Sequence, residues 1–351
     1  MEEVQRELGL AAVIKLASNE NPLGASPRAL DAIRRALPDL NRYPDGSGYR
    51  LRRALATLHG VRLDQVILGS GTCELIEILA RAYLADGDEA VISQQSFPIY
   101  ENATKWVNGT VVAVPTATGR RHDLDAMGEA VSERTKLIFI ANPCNPTGTY
   151  ATRAELDRLL ARVDGRVLVV LDEAYFEYVD RPDFPNGLQD LGLGRSVIVL
   201  RTFSKIYGLA GLRIGYAISS PEVIANLNQV RPPFNTSSLA QEAALAALED
   251  DEWARASREH NRREKAFVEG ELSRRGVRFI PSVTNFVLVE LDTDVRQVFL
   301  ALQKLGVIIR PVGGPGLVNC ARVSLGTHEE NERFLAALDQ LVAACAGGGK
   351  A

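Results

Sequence analysis

Six short apolar runs mark the first two thirds of the chain, at 65–68, 89–93, 110–114, 136–140, 167–171 and 196–200. Each is four or five residues long, most are rich in Val and Ile, and turn-forming residues lie close by. That pattern reads as strands buried on both faces. Between them lie helical stretches, among them 26–37, opened by Ser26 and Pro27, 152–163, and one beginning near Thr72. Pro is favoured in a first helical turn, where its missing N–H costs nothing. Strands alternating with helices predict an α/β unit, a mostly parallel sheet covered by helices on both faces. From about Pro232 the pattern changes to helices at 239–248, 251–275, 294–305 and 329–344, with short strands at 285–290, 307–310 and 321–324. This predicts a smaller α+β domain. The expected division is 38–231 for the large domain, with 1–37 and 232–351 forming the small domain and an N-terminal arm. A strand-like piece at 13–16 sits in that arm, which is expected to lie over a site.

Ligands on mostly parallel sheets collect at the carboxyl ends of the strands, and the chain's unusual clusters fall there. ANPCNPTG follows 136–140, DEAYFEY follows 167–171, and RTFSKIYGLAGLRIG follows 196–200. Lys205, on the last of these loops, has the setting of a Schiff-base nucleophile, because desolvation disfavours a charged amine. A lone lysine there would ordinarily be a surface residue, but Thr202, Ser204 and Arg213 accompany it and together could grip a phosphate. Gly71, Thr72 and Cys73, in GSGTCE, place a glycine turn before a helix N-terminus, a second anion-binding arrangement, although tight packing explains such glycines as often. Asn145 leaves an amide at a strand end. Asp172 closes the most apolar strand, and a carboxylate there needs a cationic partner, since burying an unpaired charge costs several kcal/mol, roughly. Phe97, on the loop after 89–93, could stack on a flat ring or simply fill core. Tyr43 lies in the turn-rich loop NRYPDGSG.

At 351 residues and 46% hydrophobic content the chain suits a two-domain globular enzyme. Lys and Arg number 40 against 44 Asp and Glu, a net charge of −4, which leaves no electrostatic footprint for nucleic acid and no polybasic membrane patch. Cys73, Cys144, Cys320 and Cys345 form no CxxC pair and the four histidines are dispersed, so neither a metal site nor a disulfide framework is expected. The N-terminus is acidic and amphipathic and no apolar run approaches membrane-span length, so the expected location is cytoplasmic. AGGGKA at 346–351 reads as a frayed tail.

NPCNPTG, then LDEAY, then TFSK followed by LRIG, resembles the ordered signature of the fold type I pyridoxal-phosphate aminotransferases. Within them the chain is most similar to the histidinol-phosphate aminotransferases, through LASNENPLG, LNRYPDG, ANPCNPTGTY, AGLRIGY and ARVSLGTHEEN. The resemblance runs from about Leu16 to the last helix. It implies pyridoxal 5'-phosphate as cofactor, with Lys205 bonding it and carrying the proton, and Asp172 partnering the pyridine nitrogen. Asn145 and Tyr175 would bond the phenolic oxygen, and Phe97 would stack on the ring. Gly71, Thr72, Cys73, Thr202, Ser204 and Arg213 would hold the phosphate, joined by Tyr43 from a second subunit of a homodimer. Arg322 matches the carboxylate-binding arginine, Arg310 the position that helps bind a substrate phosphate, and Asn21 and Asn145 complete the implied substrate site. The implied reaction is amino transfer between histidinol phosphate and 2-oxoglutarate. An aromatic amino-acid aminotransferase, a decarboxylase of a phosphorylated amino acid, and a non-catalytic sensor are the alternatives. The sensor would need a fused DNA-binding domain, for which the residues before Val13 leave no room. Cys73 stands where many relatives have an acidic or amide residue, Phe97 where they have Tyr, and the N-terminal arm is short.

Overall fold

The computed structural model describes residues 2–10 and 12–347; of the expected tail at 346–351, Ala346 and Gly347 end the last helix and 348–351 lie outside the described residues. Its strands, in chain order, are β1 (Ile14–Lys15), β2 (Val66–Gly69), β3 (Glu89–Ser93), β4 (Thr110–Val114), β5 (Thr135–Ala141), β6 (Leu168–Asp172), β7 (Val197–Thr202), β8 (Gly215–Ile218), β9 (Arg278–Ile280), β10 (Phe286–Glu290), β11 (Val307–Ile308), β12 (Arg310–Val312) and β13 (Cys320–Ser324). Seven of them make the central sheet in the order β2-β8-β7-β6-β5-β3-β4. β3 to β7 run parallel, and β8 is antiparallel to both its neighbours. The sequence pattern missed β8, because GYAI is short and follows directly on the glycine-rich lysine loop.

Alternation explains why β5, β6 and β7 are apolar on both faces through their centres. Leu137, Phe139, Val170, Ile198 and Leu200 point to one face, under the helix Gly71–Tyr83. Ile138, Ile140, Val169, Leu171, Val197 and Val199 point to the other, under the helix Arg153–Arg162. Burying each such side chain contributes about 1.5–3 kcal/mol. The second of these helices starts in a capping box, where Thr152 and Glu155 satisfy each other's backbone N–H groups.

Two helices expected in the small domain pack elsewhere. Pro27–Ala36, capped by the Ser26 hydroxyl, and Ser238–Leu248 meet through Ala29, Ala240, Ala243, Ala244 and Ala247. They share a core with Val66, Leu68, Tyr216 and Ile218 of the central sheet. Small residues let the helices approach closely and cover the β2–β8 edge of that sheet.

The remaining strands form a four-stranded antiparallel sheet, β12-β13-β10-β9, and a two-stranded parallel pair, β1 with β11. Val287, Val289 and Val323 join Leu16, Val268, Leu302 and Phe334 in a separate core with the helices Asp251–Arg274, Val295–Lys304 and His328–Gly347. Among the described residues no helix is long and apolar enough to cross a membrane.

Candidate active site

Sheet register brings the three distinctive loops together. Ala141 is opposite Asp172, and Asp172 opposite Leu200, so the Asn145, Asp172 and Lys205 segments leave the sheet on the same edge. They enclose a cavity of about 250 Å³, also walled by Thr72, Cys73, Phe97, Tyr175, Thr202, Ser204 and Arg213. A second chamber, of about 600 Å³, shares Ser18, Cys73, Phe97, Asn145 and Lys205 with the first and adds Arg310 and Arg322.

Asp172 is 4% exposed. Burial pushes its carboxyl up to about 6, although the Tyr100 hydroxyl donates to Oδ2 at 2.7 Å, the Ala174 N–H donates to Oδ1 at 3.2 Å, and the nearby Lys205 charge favours ionisation. The expected cationic partner is therefore not a side chain; both direct partners are neutral donors. Tyr100 itself lies fully buried, stacked on Phe139 at 4.9 Å, and burial, then the Asp172 charge, raises its phenol.

Lys205 Nζ donates to the carbonyls of Ser18 and Asn19, each at 3.3 Å. The N-terminal segment thus passes directly over the amine, as the sequence led us to expect of the arm. Ser204 N–H donates to Thr202 Oγ1 at 3.0 Å, and Arg213 Nη1 reaches Ser204 Oγ at 3.4 Å and the Ala210 carbonyl at 3.1 Å. Gly71, at φ +78°, allows this: a Cβ there would stand 2.6 Å from Arg213 Nη2. The Ser70 N–H is taken by Glu74, and helix geometry leaves the first-turn N–H groups of Thr72 and Cys73 without intrahelical partners. Phe97 borders both cavities and meets Tyr100 edge-on at 6.0 Å.

Arg322 Nη1 donates to Asn145 Oδ1 at 2.5 Å and Nη2 to the Ala17 carbonyl at 2.7 Å, while its Nε is buried without a partner. Burial holds this guanidinium below the usual arginine range, and the charge of Arg310 acts in the same direction. Arg310 is the direct register partner of Arg322 across β12 and β13 and is exposed.

Two expected residues stand apart. Asn21 is corrected: its Nδ2 bonds the Ile206 carbonyl at 2.8 Å and Ser257 Oγ at 2.9 Å, and its Oδ1 accepts from the Leu23 N–H. It is consumed in anchoring the arm and lines neither site cavity. Asn19 is at the site instead. It lines the larger chamber and its Nδ2 donates to Tyr175 Oη at 2.9 Å. Tyr43 is 83% exposed and stacks on Phe234 at 4.8 Å, outside both cavities of its own chain.

A phosphate cradle and a buried carboxylate hydrogen-bonded only to neutral donors, lining one cavity with an amine, suit a flat cationic heterocycle bearing a phosphate. The residues present fit pyridoxal 5'-phosphate, and the fold and site define a fold type I pyridoxal-phosphate enzyme. The family model for class I and II aminotransferases matches residues 11–338, and the chain belongs to that family. It is 47% identical over 344 residues to a histidinol-phosphate aminotransferase of Moorella thermoacetica, covering 98% of this chain and 89% of the relative. Identity to histidinol-phosphate aminotransferase 2 of Pseudomonas aeruginosa is 49% over 345 residues, covering 98% and 93%. The crystal structure of the Sinorhizobium meliloti histidinol-phosphate aminotransferase in complex with pyridoxal-5'-phosphate superposes with a TM-score of 0.93 at 30% identity, covering 98% of this chain and 94% of that one. The protein is thus a pyridoxal-phosphate-dependent aminotransferase.

Proposed function

We propose that the protein moves an amino group between histidinol phosphate and 2-oxoglutarate, working as a homodimer. The observation that carries this reading is the pair of facing arginines, Arg310 and Arg322, in the chamber that opens onto Lys205. Histidinol phosphate has no carboxylate, whereas 2-oxoglutarate and glutamate have two. Both guanidinium forks would meet the phosphate in one half-reaction; in the other, Arg322 would take the α-carboxylate and Arg310 the distal one.

Bound pyridoxal phosphate supplies the electron sink that makes the substrate Cα–H acidic. Asp172 would hold the proton on the ring nitrogen, Asn145 and Tyr175 would orient the ring through its phenolic oxygen, and Phe97 would cover a ring face. Gly71, Thr72, Cys73, Thr202, Ser204 and Arg213 would hold the phosphate. The Lys205 amine, held by two carbonyls above the site, carries the proton to and from the substrate Cα. The Asn19 amide steadies Tyr175 in that arrangement. Exposed Tyr43 would act on the cofactor phosphate of a second copy, which supports the homodimer.

The test compares kcat/KM for histidinol phosphate, glutamate and phenylalanine in wild type and Arg310→Ala. A lost charge-assisted contact typically costs about 1.5–3 kcal/mol, so the first two should fall roughly ten- to a hundredfold. Phenylalanine, without a distal anion, should be nearly unaffected. A uniform loss would make Arg310 structural, and unchanged histidinol-phosphate turnover would favour an aromatic substrate.

A further inference from the structure

Arg120 belongs to the large sheet's side of the chain, in the turn Thr118–Arg120 between β4 and β5. It carries φ +58°, a left-handed conformation unfavourable for a residue with a side chain. Its guanidinium crosses to the other sheet: Nε and Nη2 donate to Glu290 Oε1, at the end of β10, at 2.8 and 2.6 Å, and Nη1 donates to the Gly316 carbonyl. Next to it, Gln95 Nε2 donates to the Pro315 carbonyl at 3.0 Å. Gly316, at φ +74°, permits this approach, since a Cβ there would lie 3.0 Å from Gln95 Nε2 and 3.4 Å from Arg120 Nη1. The Arg120 carbonyl accepts from Thr149 Oγ1 at 3.2 Å, in the loop that bears Asn145.

These contacts converge on the turn 313–316, GGPG, which continues β12 directly from Arg310, and Gly313 and Leu317 are in the chamber wall. A partly exposed ion pair such as this one, 24% accessible at each side chain, adds modest stability, so stability alone does not account for a strained residue kept at this place. What the bridge does fix is where β12 ends relative to the chamber. We propose that Arg120 is a positioning residue: bound to Glu290 and Gly316, it sets the 313–316 turn and so the placement of Arg310 against the distal anion of the substrate. The proposal rests on the reading of Arg310 given above. Arg120 need not touch the substrate.

Half-reaction kinetics of the holoenzyme with glutamate and with phenylalanine test it, on Arg120→Met, Arg120→Lys and Glu290→Gln. Arg120→Met and Glu290→Gln should raise KM for glutamate about tenfold with kcat within about twofold, leave phenylalanine unchanged, and leave the cofactor absorption spectrum and Tm as in wild type. Arg120→Lys, which keeps the charge and loses the fork, should fall between. The charge-swapped pair Arg120→Glu with Glu290→Arg should recover part of the loss. Combined with Arg310→Ala, Arg120→Met should add no further loss for glutamate. An additive loss, an equal loss for both substrates, or an unchanged KM overturns the positioning role. An Arg310→Ala enzyme with full glutamate turnover overturns the reading of Arg310 instead. Because the test uses only glutamate and phenylalanine, the result does not depend on histidinol phosphate being the other amino donor.

Discussion

Replacing Asp172 by Asn should stabilise the protein stripped of cofactor while weakening its grip on the cofactor. The carboxyl sits at about 6 in the folded chain against an ordinary 3.8, a difference of about two units. At about 1.4 kcal/mol per unit this is about 3 kcal/mol. Between those two pH values the folded state holds the proton more tightly than the unfolded one, so stability falls as pH rises from about 4 to about 6. Above about pH 7 the full penalty of a buried charge is present. Asn removes it but cannot accept from both the Tyr100 hydroxyl and the Ala174 N–H, which returns about 1 kcal/mol. The apo variant should therefore exceed apo wild type by about 2 kcal/mol at pH 8, a few degrees in Tm, and lose that advantage at pH 4. With cofactor bound the order should reverse, because on the proposed placement a cationic ring nitrogen beside Asp172 would remove the same penalty. Cofactor affinity should fall by about a hundredfold in the variant. Melting curves of apo and holo protein at the two pH values decide it. An apo variant no more stable than wild type at pH 8, or an advantage equally large at pH 4, would refute the reasoning.

Two further expectations concern the cofactor itself. Borohydride reduction of the holoenzyme followed by peptide mapping should find the cofactor on Lys205, and Lys205→Ala should abolish turnover; label on another lysine would sink the assignment. Mixing Tyr43→Phe chains with Lys205→Ala chains, each impaired alone, should regain up to roughly a quarter of wild-type activity, because half the dimers would be mixed and each would hold one site without either lesion. No recovery on mixing, or an active monomer by light scattering, would remove Tyr43 from the partner's site.

The strands that carry the chemistry were legible because β5, β6 and β7 are buried on both faces and leave short unbroken apolar runs in the sequence. Their loops were legible for a different reason: Asn-Pro dipeptides, an acid closing an apolar strand, and a lysine among hydroxyl residues are each locally odd. The misses share a cause, which is that no local pattern reports them. Asn21 and Asn19 sit two apart in LASNEN, and an extended chain would put both on one side. Asn19 instead takes φ +55°, the chain turns, and the two amides part, one to Tyr175 and one to Ser257. Tyr100 follows Phe97 in QQSFPIY and nothing local marks it, yet from the buried core its hydroxyl reaches Asp172, 72 residues away in sequence. The helices Pro27–Ala36 and Ser238–Leu248 find each other across two hundred residues through alanines, whose small size is a packing signal only once the partner is known.

Charge pairing at the site differs from that at several other buried positions. There opposite charges meet directly: Arg201 with Glu173 at 2.8 Å, Arg153 with Asp190 at 2.8 Å, Arg120 with Glu290 at 2.6 Å. At the site four charged groups are each held by neutral dipoles. Lys205 bonds two carbonyls, Arg213 a hydroxyl and a carbonyl, Arg322 an amide and a carbonyl, and Asp172 a phenol and an N–H. Dipoles fix where a charge sits without cancelling it. An ion pair in the same place would lower the desolvation penalty of the folded chain, but a ligand would then have to break it before binding. Held this way, the guanidinium groups would keep their charge for the proposed phosphate and carboxylate, and the carboxylate its own for the proposed ring nitrogen. On the proposed placement the desolvation penalty at Asp172 would be recovered when the cofactor binds, so the same burial that destabilises the apo protein would strengthen the holoenzyme.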